Sequence, residues 1–354
     1  MIKNTKLYPI FQALFSALLF GASAPISKIL LGRIDPVLLA ALLYIGSGAG
    51  LLIFQILEKI LCKKDIDEAG LTKRDFPWLL GAVIFGGILG PIIQMISLKV
   101  TPASTASLLL NFEGAATTII AALFFKENIG KRVGLAIVCI LSASVILSWN
   151  FTGQWGISLG ALGIILACVC WGIDNNFTRN ISAKNPYTIV MVKGLGAGTF
   201  SLILSMILGN HLPDFKIIFM ALLLGFLSYG FSTVLFVFAM RNLGSARTSA
   251  FFSAAPFIST ILSFILLGEV PGVTFAFALP LMIAGTVLII RENHSHMHVH
   301  LYMAHEHRHC HTDGHHNHHH PGIPDSVYHT HYHVHERMEH CHPHTPDLHH
   351  RHAH

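Results

Sequence analysis

Ten apolar runs dominate this chain, near residues 8–31, 36–57, 78–98, 103–125, 133–149, 156–175, 187–208, 216–240, 246–267 and 271–290. Each approaches the roughly 17 to 25 residues that a helix needs to cross the hydrocarbon of a bilayer. No water is available there to satisfy backbone amides, so runs of this length are expected to be helices. None shows the strict alternation of a half-buried strand. The expected fold class is an all-α membrane protein with ten transmembrane helices. Composition agrees, with 53% hydrophobic and 12% charged residues, against about 25% charged in an ordinary soluble domain.

The first run carries Lys3 and Lys6 ahead of it and Ala22-Ser23-Ala24 within it, the outline of a secretory signal and its cleavage site. Pro25 would directly follow the cut, and the run continues to Leu31. A retained helix is therefore expected. With the N-terminus placed in the cytoplasm, fifteen Lys and Arg outside the tail fall on that side. Only four, Lys28, Arg33, Lys99 and Lys216, fall on the other. Both termini are expected to be cytoplasmic, in a cell (inner) membrane. Basic residues sit between apolar runs and form no patch interleaved with aromatics, so no nucleic-acid partner is expected. Six scattered cysteines do not have the dense spacing of a disulfide scaffold.

The chain repeats itself. LKVTPASTASLLLNFEGAATTIIAALFFKENIG, 98–130, lies over MRNLGSARTSAFFSAAPFISTILSFILLGEVPG, 240–272, at a constant offset of 142, pairing Ser107 with Ser249 and Glu127 with Glu269. Phe20-Gly21 answers Trp171-Gly172, and Asp35-Pro36 answers Asn185-Pro186. Two halves of five helices, 8–149 and 156–291, would insert in opposite senses, because an odd number of crossings inverts the second. Inverted repeats of this kind commonly build two alternating states around a central site. An old duplication kept only as scaffold is the plainer alternative.

With FGASAPISK and WGIDNNFTR in the opening helices, and FFKENIG and LLGEVPG closing the fourth and ninth, residues 8–291 resemble the EamA-type branch of the drug/metabolite transporter superfamily. That resemblance implies ten helices in two five-helix halves and a transporter, not an enzyme. It leaves the substrate open among amino acids, nucleotide sugars, small metabolites and drugs. Lipid and a small solute are then the expected partners, and a homodimer is compatible with such a body.

Ionisable groups inside a span are costly and usually face a cavity or a partner. Glu113, Asp174 and Lys193 are the candidates: either carboxylate could bind a proton or substrate cation, with Lys193 as counter-ion or as a contact for a substrate carboxylate. An ion pair that only orders helices is the plainer reading. Asn111 and Gln94 could hydrogen-bond a solute or merely bridge helices. Tyr44, Trp171 and Tyr229 could line a pocket or belong to interfacial aromatic belts. Gly81, Gly86, Gly87 and Gly90, with Pro91, mark the third helix for close packing or for hinging. Cys170 and Asp174, four apart, could share a helix face, but the spans hold no histidine, and two ligands make a weak metal site.

Residues 294–354 are a different material. They hold 24 of the 25 histidines and carry a net charge of −3 with His neutral, leaving +8 on the body. HTHYHVHERMEHCHPH, 329–344, offers His329, His331, His333, His335, His340, Cys341, His342 and His344; HEHRHCH, 305–311, adds His309, Cys310 and His311. Neutral imidazole and thiolate suit zinc, nickel, cobalt or copper. With too little apolar content for a core, the tail is expected to be disordered without metal. The body needs no cofactor.

Three functions therefore compete: a solute transporter with a metal-responsive tail, a transition-metal transporter loaded by that tail, and a membrane-anchored metal buffer or sensor.

Overall fold

The computed structural model describes residues 7–62, 69–125, 130–150, 156–181, 184–243, 248 and 251–290, and four strands beyond them. Eight of its helices are long and apolar enough to cross a membrane: α1 (Leu7–Leu30), α2 (Pro36–Leu61), α3 (Phe76–Val100), α4 (Ala103–Phe124), α5 (Lys131–Ser148), α6 (Leu159–Arg179), α7 (Pro186–Ile207) and α8 (Phe215–Ala239). Two shorter apolar helices follow, α9 (Ala255–Leu267) and α10 (Val273–Ile289). Each overlaps one of the expected runs, with ends that differ by a few residues. In the expected run at 246–267, residues 246, 247, 249 and 250 lie outside the described ones, 248 and 251–252 are helical, and a turn at 253–254 precedes the start of α9 at Ala255.

Local chemistry sets several boundaries. Asn185 accepts hydrogen bonds at its Oδ1 from the amides of Tyr187 (2.9 Å) and Thr188 (3.4 Å), and Pro186 fills the first helical position of α7. The Asn-Pro pair noticed in the repeat is thus a helix start: a capping acceptor followed by a residue with no amide to satisfy. Gly268 ends α9 at φ +63°, a left-handed cap that glycine adopts without steric cost.

Four of the long helices are interrupted near mid-span. α1 turns at Ala22, between Leu7–Gly21 and Ser23–Leu30. α4 breaks between Leu109 and Phe112. α3 contains a π-helical segment at Val83–Leu89, and α8 contains another at Phe226–Phe231. Shifting the first π segment by the sequence offset of 142 lands on 225–231, almost the second. π segments are rare and concentrate at functional places.

Apolar helices in lipid gain nothing from leaving water and must associate by close packing. α2 shows how. A Cβ on Gly46 would lie 2.1 Å from the carbonyl oxygen of Leu222 in α8. On the facing helix α7, a Cβ on Gly194 would lie 2.7 Å from the amide nitrogen of Gly48. The sequence GSGAG lets two backbones touch α2 at van der Waals distance. Around this contact one continuous core joins residues of nearly every helix, including Leu39, Met95, Leu108, Ile140, Ile164 and Ala221.

In the tail, the backbone of Ser295–His300 pairs antiparallel with Met338–Pro343, and Met303–His309 with His329–His335. Composition had suggested no regular structure there. The His-X-His alternation supplies the period of two that a strand uses, so low apolar content alone was an incomplete guide.

Candidate functional site

Three of the four interruptions border one cavity of about 270 Å³ in the body of the bundle, through Phe20, Glu113 and Tyr229, and the fourth, in α3, stands behind its lining. Its polar wall is made by Glu113 at the start of the second half of α4, by Asp174 and Asn175 of α6, and by Lys193 of α7. Lys193 Nζ is paired with Asp174 Oδ2, and Asp174 Oδ1 accepts a second hydrogen bond from Thr178 Oγ1 (3.0 Å). Asp174 is the more enclosed partner, with 6% of its side chain exposed against 19% for Lys193. Asn175 Nδ2 donates to Glu113 Oε1 (2.9 Å) and to Thr117 Oγ1 (3.1 Å). The three ionisable residues singled out from sequence thus meet at one site, although they come from three helices.

Much of the remaining lining is aromatic. Phe20 packs at 5.8 Å from Tyr229 and 5.4 Å from Phe252, and Tyr44 lies 5.7 Å from Tyr229. Tyr44 and Trp171 are fixed from behind: the Tyr44 hydroxyl (2.6 Å) and Trp171 Nε1 (3.1 Å) both donate to the carbonyl of Gly86 in the π segment of α3. A π turn displaces backbone carbonyls from the regular ladder, which gives such donors an acceptor inside an apolar bundle. All three Tyr and Trp residues weighed as pocket or belt residues line the cavity.

The glycines of α3 serve that wall. A Cβ at Gly86 would lie 1.9 Å from Asp174 Oδ2, one at Gly87 2.5 Å from Cβ of Ala197, and one at Gly90 2.9 Å from Trp171 Nε1. Their absent side chains are the space into which α6 and α7 pack.

Gln94 and Asn111 do not line the cavity. Gln94 is buried at 2% exposure, and its Oε1 has no hydrogen-bond partner among the described residues. Asn111 bridges helices, donating to the Leu108 carbonyl (3.0 Å) and accepting from Thr286 Oγ1 of α10 (3.3 Å). Cys168 is buried with its thiol 3.7 Å from the Leu109 carbonyl, and Cys170 is buried beside it in sequence. Among the described residues no group of three or more His, Cys, Asp or Glu could hold a metal ion. The tail positions read as ligands, from His309, Cys310 and His311 to His344, have side chains outside the described residues.

The cavity reaches toward one end of the bundle. Its lining includes Thr178, beside the last residue of α6, and Ile189 and Val190 at the start of α7. The segment before α3 is tied to that same end, through the Asn185 amide on the Ala69 carbonyl (2.9 Å) and the Lys184–Asp75 ion pair (3.9 Å). Toward the other end α4 and α9 close on each other, where Ser107 and Ser259 share a buried hydrogen bond of 2.8 Å.

A bundle of membrane-length apolar helices around a charged and aromatic cavity defines an integral membrane protein of the transporter kind. The EamA-like transporter family matches over residues 7–149 and 158–291, and the chain belongs to that family. It is 27% identical over 281 residues to a protein named "Uncharacterized transporter" from Methanothermobacter thermautotrophicus, covering 75% of this chain and 80% of that protein. A solved crystal structure superposes with a TM-score of 0.57 at 17% identity, over 80% of this chain and 96% of that one, a likeness of fold.

Proposed function

We propose that this protein is a secondary transporter of a small organic solute, working by alternating access between two inverted five-helix halves, with a cytoplasmic tail that binds transition metal. The observation that carries the reading is the convergence of Glu113 with the Asp174–Lys193 pair on one cavity inside an apolar bundle. Burying three ionisable groups costs several kcal/mol per ion before any pairing, so a site that only ordered helices would be better made of apolar residues. Sequence symmetry sharpens the point. The pairing of Phe20 with Trp171 sets Asp174 against Ser23, and the offset of 142 sets Glu113 against Ala255. Each charge stands in one half only, Glu113 in the first and Asp174 in the second, opposite a small uncharged residue in the other.

Glu113 suits a proton or a substrate ammonium, and Lys193 suits a substrate carboxylate once Asp174 releases it. The aromatic wall takes apolar surface, so the solute is small and amphipathic. Ten helices crossing in two opposed halves, both termini on the cytoplasmic side, are part of the same proposal. A second reading, transport of nickel, cobalt or zinc with the tail as loading site, draws on the 24 tail histidines. The scarcity of soft ligands in the described spans weighs against it.

Proteoliposomes loaded with a defined mixture of amino acids, sugars and nucleosides, and in parallel with Ni²⁺, Co²⁺ or Zn²⁺, test both. Efflux of an organic component that survives deletion of residues 294–354 supports the first reading. Metal efflux lost on that deletion supports the second. No flux from the full chain leaves a metal-binding membrane anchor.

A further inference from the structure

At the end of the bundle away from the cavity mouth, two charged side chains bind the turn between α3 and α4 from different halves of the chain. Glu269, one residue past the left-handed cap Gly268, accepts hydrogen bonds from the first amides of α4: Ala103 to Oε1 (2.6 Å) and Ser104 to Oε2 (2.8 Å). Lys28, near the end of α1, donates from Nζ to the carbonyls of Leu98 (2.7 Å), Thr101 (2.8 Å) and Lys99 (3.0 Å) at the end of α3. Each charge meets the helix end of opposite sign, a carboxylate at amides and an ammonium at carbonyls. All three ammonium hydrogens and both carboxylate oxygens have partners. The turn is thereby fastened to α1 on one side and to the α9–α10 loop on the other. Just inside it, Ser107 and Ser259 are sealed at 0% and 2% exposure, and Thr260 Oγ1 lies 3.4 Å from the Ser104 carbonyl.

We infer that Lys28 and Glu269 form a latch that holds this end of the bundle shut while the cavity opens toward the other. The inference rests on the alternating-access reading above. When the cavity faces the α3–α4 end, α4 and α9 must part near Ser107 and Ser259, and the Glu269 contact crosses between those helices. Its charge-assisted bonds therefore exist in one state and are absent from the other, which is what a contact must do to bias a two-state equilibrium. A contact present in both states would contribute stability alone.

The test uses the full-length chain with its six cysteines replaced by alanine and one reporter cysteine, in sealed membrane vesicles of both orientations treated with a membrane-impermeant maleimide. Ser259→Cys reports the latched end; Thr233→Cys, in the cavity lining, reports the other. Glu269→Ala is expected to raise labelling of the first from the latched side on the order of tenfold and to lower labelling of the second. Lys28→Met is expected to shift both in the same directions. Should Glu269→Ala accumulate poorly, Glu269→Gln, which keeps the shape and loses the charge, gives the same pattern at smaller size. Unchanged labelling at Ser259→Cys overturns the latch, and so does a rise at both reporters together, which is general loosening. Labelling requires no solute, so a failed flux assay bears on the transport reading and leaves this result legible by itself.

Discussion

Replacing Gly86 by alanine places one methyl group against the charged pair. The new Cβ would stand 1.9 Å from Asp174 Oδ2, 2.2 Å from its Cγ and 2.7 Å from its Cβ, where ordinary contact begins near 3.4 Å. Rotating the carboxylate away relieves the first two overlaps but not the third, because the Asp174 Cβ is fixed to the α6 backbone. α3 and α6 must therefore separate by a few tenths of an ångström, and the carboxylate must leave Lys193. Overpacking of this kind costs about 1–3 kcal/mol, offset by at most about 1 kcal/mol from the better helix propensity of alanine. A net loss of about 1–2 kcal/mol is expected in thermal or denaturant unfolding of the detergent-solubilised protein. Gly114→Ala is the control, since nothing lies within 4 Å of its added Cβ; it should be neutral or slightly stabilising. The decisive comparison is a double-mutant cycle with Asp174→Ala, which removes Oδ2 and Cγ. The cost of Gly86→Ala should shrink in that background by 0.5 kcal/mol or more, the usual scale of coupling between touching residues. An equal cost in both backgrounds, or none in either, would refute the account of Gly86 as the seat of Asp174.

Other consequences concern the ionisable groups and the tail. Lys193→Met leaves the Asp174 carboxylate buried without its cation and should destabilise the fold by about 3–5 kcal/mol, whereas Lys193→Met with Asp174→Asn should recover most of that; unfolding midpoints compare the two. Glu113→Gln should leave the unfolding midpoint near wild type and abolish the response of solute efflux to an imposed pH gradient, and an unaltered response removes Glu113 from coupling. Zinc binding to the full-length protein, followed by equilibrium dialysis, should be lost on truncation after residue 293. It should weaken as pH falls through about 6.5, because protons compete for the imidazole lone pairs; retained binding after truncation would move the metal into the body.

Much of the scaffold was legible because bilayer thickness dictates run length, and each membrane-length helix overlaps an expected run. The candidate ionisable residues were legible for a similar reason: Glu113, Asp174 and Lys193 stand out against apolar neighbours. Their meeting was not, since helix rotation and tilt are set by packing that sequence spacing does not encode. The same limit hid Lys28 and Glu269, which are 241 positions apart and looked like loop charges and a family motif. Gln94 was ambiguous for a related reason, as a polar residue in a span signals burial from lipid without saying whether it faces a cavity. The break in α4 at Leu110–Asn111 has neither Gly nor Pro to announce it. The glycines of α3 did carry a signal, and the structure resolves it toward close packing, with Gly86 receiving Asp174 and Gly90 receiving Trp171.

Alternating access as proposed requires that the two five-helix halves lie in opposite senses across one membrane. Single cysteines at Asn128, after α4, and at Val270, after α9 and 87% exposed, probe it most directly when labelled in sealed vesicles of known orientation. Asn128→Cys is expected to react only from the cytoplasmic face and Val270→Cys only from the opposite one. Reaction of both from the same face would contradict it.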